Sequence, residues 1–121
     1  MARSITITTG AWQKDLEMTI TVLDEELFAK ECEDINKFFC FADQRVRTHG
    51  SHAKAGLALF AKECFQQIAF NDFKDIDWLV RQFDWGQGEG IEGYPSIEGL
   101  GIKITSIDNW FLDESEFGFE Y

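Results

Sequence analysis

From Arg3 to Thr8 polar and apolar residues alternate, with Ile5 and Ile7 on one face. Between Asp15 and Leu23 the alternation is stronger: Leu16, Met18, Ile20 and Val22 oppose Glu17, Thr19 and Thr21. A period of two with β-branched residues marks half-buried strands. The stretch between them, TTGAWQK, holds Gly10, which tolerates the positive φ of a tight turn. Residues 3–23 therefore predict an antiparallel hairpin.

At Asp24 the period changes. Asp24 is a good N-cap, and Glu25 and Glu26 suit a helix first turn, where the peptide dipole favours negative charge. Leu27, Phe28, Cys32, Ile35, Phe38, Phe39 and Ala42 recur at spacings of three and four, one apolar stripe of a single helix. Gly50 is a stop signal and Ser51 the next cap. Leu57, Phe60, Ala61, Cys64, Phe65 and Ile68 define a second helix. Asn71 or Asp72 should cap a short third one carrying Phe73, Ile76, Leu79, Val80 and Phe83.

Four glycines fall within Gly86–Gly93, so that segment reads as a loop. Beyond Pro95, Leu100, Ile102 and Ile104 alternate with Gly101, Lys103 and Thr105 as a strand. Asp108 to Ser115 reads as an acidic connector, and Phe117, Phe119 and Tyr121 alternate with Glu116, Gly118 and Glu120 as a last strand. The expected fold is a single α+β domain over residues 1–121. It would have an antiparallel sheet of about four strands in ββ-ααα-ββ order, with the helices packed on one face.

Composition adds partner chemistry to this frame. The chain has 121 residues, 45% of them apolar, and its net charge is -11 from 22 Asp+Glu against 11 Lys+Arg. Phosphate recognition is driven by Lys and Arg releasing counterions, so this balance argues against direct nucleic-acid binding and against an anionic membrane surface. No apolar run approaches the ~20 residues of a membrane span, and MARSITITTG lacks a secretory leader's basic-then-apolar order. Three cysteines, Cys32, Cys40 and Cys64, in apolar surroundings suit reduced, mostly buried thiols and a cytoplasmic location.

The charge is located. Residues 45–62 contain no acid and four bases (Arg45, Arg47, Lys54, Lys62), whereas 84–121 contain nine acids and the single base Lys103. Such asymmetry speaks to partners and association rather than to fold.

Candidate chemistry is sparse. Gly88-x-Gly90-x-x-Gly93 mimics a dinucleotide fingerprint, yet it lacks the preceding strand and following helix, and Glu89 and Glu92 would repel phosphate. Cys40, His49, His52 and Cys64 have no recognised zinc spacing, so no metal and no cofactor is expected. A Cys–His nucleophilic pair, Cys40 or Cys64 with His49 or His52 and Asp43 as orienter, can be drawn. It needs an accessible thiolate, whereas Cys40 lies among Phe38, Phe39 and Phe41, where a thiol is usually buried.

The segment that best suits a function is 84–121, where carboxylates coincide with large aromatics. Aromatics rimmed by charge suit a protein–protein interface. The expected partner-binding residues are Trp85, Glu89, Glu92, Tyr94, Trp110, Asp113, Glu114, Glu116 and Glu120, with no catalytic residue.

Two stretches carry a resemblance: Asn36 to Val46 (NKFFCFADQRV), of the type N-x-F-F/W-x-x-A-D-x-R-V, and Tyr94 to Ile104 (YPSIEGLGIKI), of the type W/Y-P…G-I-K/R-I. In these, and over about Leu16 to Asp113, the chain resembles a small bacterial family known only as a domain of unknown function, with members in prophages, plasmids and other mobile elements. The resemblance supplies no catalytic residues to transfer; it implies a mobile-element origin, where small acidic proteins often inhibit host defence.

The resulting expectation is a non-catalytic phage or mobile-element protein that binds a basic surface on a host protein. That partner could be a nucleic-acid-binding defence effector, inhibited in the manner of an anti-CRISPR or a DNA mimic. Mimicry of duplex phosphates requires rows of carboxylates, not merely a total. The alternatives are a small cysteine-dependent enzyme and a self-associating module, such as a homodimer joined across a sheet edge.

Overall fold

The computed structural model describes residues 2–10, 15–71, 75–86, 88–110, 115 and 118–120. The two N-terminal alternating stretches are strands β1 (Arg3–Thr9) and β2 (Leu16–Val22), paired antiparallel from Arg3↔Val22 to Thr9↔Leu16. β3 (Ile102–Ile107) pairs antiparallel with β2, with a register shift at Thr19/Ile20. Sheet order is β1-β2-β3. Leu16, Met18, Ile20 and Val22, joined by Ile102 and Ile104, are all buried. The other face is polar: the Thr6 and Thr19 hydroxyls lie 3.3 Å apart, and the Thr105 hydroxyl donates to the Thr19 carbonyl at 3.0 Å.

Four helices join the sheet: α1 (Glu25–Phe38), α2 (Ala42–His49), α3 (His52–Asn71) and α4 (Ile76–Gln82). Asp24 caps α1, its carboxylate accepting from Leu27 N at 3.1 Å. Gly50 ends α2 in the left-handed region, and the Ser51 hydroxyl accepts from Lys54 N at the start of α3. Phe28, Cys32 and Ile35 of α1, Phe60, Cys64 and Ile68 of α3, and Leu79 of α4 join the sheet's buried face in one core.

α1 and α3 form the most extensive helix pair. They cross at Gly56, where any Cβ would overlap the Cys32 carbonyl oxygen. Glycine is required there by contact, since its backbone is helical.

Three expectations change. The apolar stripe from Leu27 to Ala42 is not one helix: α1 ends at Phe38, and Phe41 takes φ 69° before α2 begins. α4 is capped by Asp75, which accepts from Trp78 N at 2.6 Å, while Asn71 closes α3 with its amide on the Gln67 carbonyl. Asp72 and Phe73 lie outside the described residues. The sheet has three strands among the described residues rather than four. Gly118–Glu120 carry no strand pairing and Phe119 is 77% exposed. Alternation alone does not make a strand without a partner edge and a face to bury. Phe117 and Tyr121 lie outside the described residues.

Candidate functional site

The break between α1 and α2 is held by a network around Arg45. Arg45 Nε donates to Asn36 Oδ1 at 2.6 Å, and Nη2 donates to the Asn36 and Phe39 carbonyls, each at 2.9 Å. Nη1 donates to the Cys40 carbonyl. These carbonyls close the C-terminal end of α1, where the helix leaves acceptors unmet and favours a cation. Asn36 is fully buried. Because Arg45 can only donate, it fixes Asn36 Oδ1 as the acceptor; Nδ2 then donates to the Ala42 carbonyl at 3.3 Å and to His52 Nδ1 at 2.9 Å. His52 thus ties α3 to this turn.

The clamp presents Phe38 and Phe41 to solvent, 55% and 76% exposed. Phe38 packs edge-on to Phe39 at 5.0 Å, and Phe39 leans on Tyr94 at 5.5 Å. The glycine-rich loop closes over the same corner. A Cβ at Gly93 would sit 2.6 Å from Phe39 Cζ and 2.7 Å from Phe38 Cδ1, and one at Gly90 would overlap the Trp85 ring. Both glycines have positive φ, 72° at Gly90 and 93° at Gly93. They let the backbone pass against aromatic rings where a side chain could not. Trp85 remains 56% exposed, with its indole N–H on the Tyr94 carbonyl at 3.0 Å.

The expected partner-binding residues divide. Trp85, Glu89 and Glu92 belong to the segment whose Gly90 packs on the Trp85 ring and whose Gly93 packs on Phe38 and Phe39, and both carboxylates are exposed. Tyr94 is a core residue: its ring packs on Phe60 and Phe83, and its hydroxyl donates to the Leu59 carbonyl at 3.0 Å. Burial pushes its phenol up. Trp110 is half-buried, its indole N–H on the Phe65 carbonyl at 2.7 Å, so it fastens the chain after β3 to α3. Glu120 is exposed, while Asp113, Glu114 and Glu116 lie outside the described residues. Sequence reasoning missed Phe38 and Phe41, although their signal was legible: four consecutive core-sized residues, Phe38 to Phe41, exceed what one helix stripe can bury.

The acids of α1 do not form a bare row. Glu25 pairs with Arg3, Asp34 and Glu31 with Lys30, and Glu33 with Lys37 at 3.0 Å. No ion pair engages Glu89 or Glu92 among the described residues. The thiols also divide. Cys32 and Cys64 are buried, and burial pushes the Cys32 thiol up to about 12 and Cys64 well above its ordinary value. Cys40, expected inside, is exposed, because the break after α1 turns it outward. Among the described residues, no group of three His, Cys, Asp or Glu could hold a metal ion. Nor is any described helix long and apolar enough to cross a membrane.

Residues 18–118 match the family described as "Protein of unknown function (DUF2528)". The chain belongs to this family. It is 32% identical over 107 residues, 87% of its length, to protein ea10 of Escherichia phage lambda. The same identity relates it to a lambda prophage-derived protein ea10 of Escherichia coli O6:H1, and 84% of each relative is covered. No solved structure matches the chain.

In this DUF2528 member, the stretches that carried the resemblance have physical roles. Asn36 and Arg45 of the first are the clamp at the helix break. In the second, Tyr94 seats the aromatic core, and Gly101, at φ 76°, brings its carbonyl to the Leu23 and Asp24 amides. That contact ties β3 to the start of α1.

Proposed function

We propose that this phage-family protein is a non-catalytic binding protein that docks on a basic surface of a host protein through Phe38, Phe41 and Trp85, with Glu89 and Glu92 at the rim. One observation carries the reading. Phe41 is held in the left-handed region and largely exposed, in a conformation that costs a non-glycine residue about 1–2 kcal/mol. Folding gives no reason to keep a large aromatic there; recognition does, because exposed aromatics supply interface anchors.

The uncompensated carboxylates beside these rings set the sign of the partner and steer a fast, salt-sensitive encounter. Nucleic-acid-binding defence effectors belong to the partner class, since their grooves are basic. Docking would be anchored by aromatics rather than by a copied phosphate array, because most of the α1 carboxylates are already paired with cations.

Immobilised protein should capture a basic protein from an Escherichia coli lysate at low salt and release it at high salt. Phe41→Gly should raise folding stability by roughly 0.5–1 kcal/mol, through relief of the left-handed strain, yet weaken capture. Capture indifferent to Phe41→Gly and Trp85→Ala would sink the proposal. So would direct binding of an oligonucleotide in place of a protein.

A further inference from the structure

A second surface, of opposite sign, lies across the molecule's own sheet edge. β1 pairs only with β2, so the outer backbone edge of Ser4–Thr8 meets no strand among the described residues. Open edges are usually guarded by proline, lysine or a bulge. β1 has none of these in its interior; its one charge, Arg3, is at its first residue and engaged with Glu25.

Two hollows flank this edge, and α3 forms the second wall of both. One, of about 430 Å³, is lined by Arg3, Ile5, Phe28, Lys54 and Leu57, with Glu25 at the Arg3 end. The other, of about 400 Å³, is lined by Ile7, Ala61, Lys62, Phe65 and Trp110. Ile5 and Ile7 are half-buried and lie two residues apart, one at each hollow. That spacing, roughly 6.6 Å along the strand, is the spacing of same-face side chains on any added strand. The floor is apolar, and the rim carries Lys54 and Lys62, both exposed and neither in an ion pair with a described residue. They belong to the acid-free stretch 45–62, in a chain with twice as many acids as bases.

We infer that the edge of β1 and the facing wall of α3 receive an extended acidic segment of a partner polypeptide. The segment adds a strand to β1 through main-chain hydrogen bonds, as in other strand-addition complexes. Alternate apolar side chains enter the two hollows, and its carboxylates lie within reach of Lys54 and Lys62. Charge decides against β1 of a second copy as the occupant. Pairing β1 with β1 would bring the lysines of both copies to one seam, where like charges repel. This site is independent of the aromatic corner proposed above.

The test uses the full chain and three labelled probes: an eight-residue peptide alternating Glu and Val, its Lys/Val counterpart, and a mixed-sequence single-stranded oligonucleotide. The Glu/Val peptide should bind, slow amide exchange within Ser4–Thr8, and weaken with salt. Lys54→Glu with Lys62→Glu, both exposed, should weaken it by about tenfold or more while circular dichroism stays unchanged. The inference is overturned if the Lys/Val peptide binds equally well, if the double variant binds the acidic peptide unchanged, or if β1 is protected by self-association. Occupation of the lysine face by the oligonucleotide in place of the peptide would also overturn it.

Discussion

Arg45 shows how much of the fold one side chain can organise. Its planar guanidinium reaches the carbonyls of Asn36, Phe39 and Cys40 and the Asn36 side chain at once. A lysine keeps the charge but offers a single point donor in place of the fork. Arg45→Lys should therefore leave at least one of these acceptors unmet and lower the unfolding free energy by about 1.5–3 kcal/mol, the range for hydrogen bonds to a charged group. Urea unfolding followed by tryptophan fluorescence measures this. A midpoint equal to wild type would show that charge alone, not the fork, holds the turn. The buried Asn36 amide depends on the same geometry, because its two ends have distinct partners, Arg45 on the oxygen and His52 with Ala42 on the nitrogen.

Among the elements, α1 and α3 depend on a close approach that neither helix encodes alone. At Gly56 the Cys32 carbonyl occupies the space of a side chain, and that atom is backbone, which cannot rotate away. Gly56→Ala ought to force the helices apart and destabilise the protein by about 1–3 kcal/mol, despite alanine's better helix propensity. A gain in stability on thermal melting would refute the crossing. The hairpin, the Asp24 cap, the Gly50 stop and the Ser51 cap were legible in the sequence because each is a local signal. The α1–α2 break was not, since Phe38, Phe39 and Ala42 keep a helical spacing and the Arg45 bonds to Asn36, Phe39 and Cys40 that close the turn leave no mark in that spacing. The same limit applied to the site. Trp85 and the loop acids could be named from composition, but Tyr94 looked equally suited to an interface until the core packed around it. Phe38 to Phe41 were visibly too many apolar residues for one stripe, but which of them faces solvent is set by the backbone turn at Phe41.

For the whole molecule, the charge of -11 already counts the cations that pair with the α1 acids, and most of the excess lies elsewhere, in residues 84–121 with nine acids and one base. The interior carries its own pH dependence. Burial raises the thiols of Cys32 and Cys64 and the Tyr94 phenol, because the core solvates the anion poorly. The unfolded chain releases these protons at ordinary values, near 9 for cysteine and 10 for tyrosine, whereas the folded chain holds the Cys32 proton to about 12. Above pH 9 the unfolded state binds fewer protons, so the slope of unfolding free energy with pH is negative. This contribution is intact below pH 9 and is lost progressively toward pH 12. Urea midpoints measured at pH 7, 9, 10 and 11 should stay level to pH 9 and then fall. Loss of lysine charge acts in the same direction at these pH values, so Cys32→Ala isolates the thiol. Its midpoint starts lower because packing is lost, but it should decline less steeply between pH 9 and 11. An equally steep decline in that variant would mean that surface charge, and not the buried thiol, governs the alkaline limit.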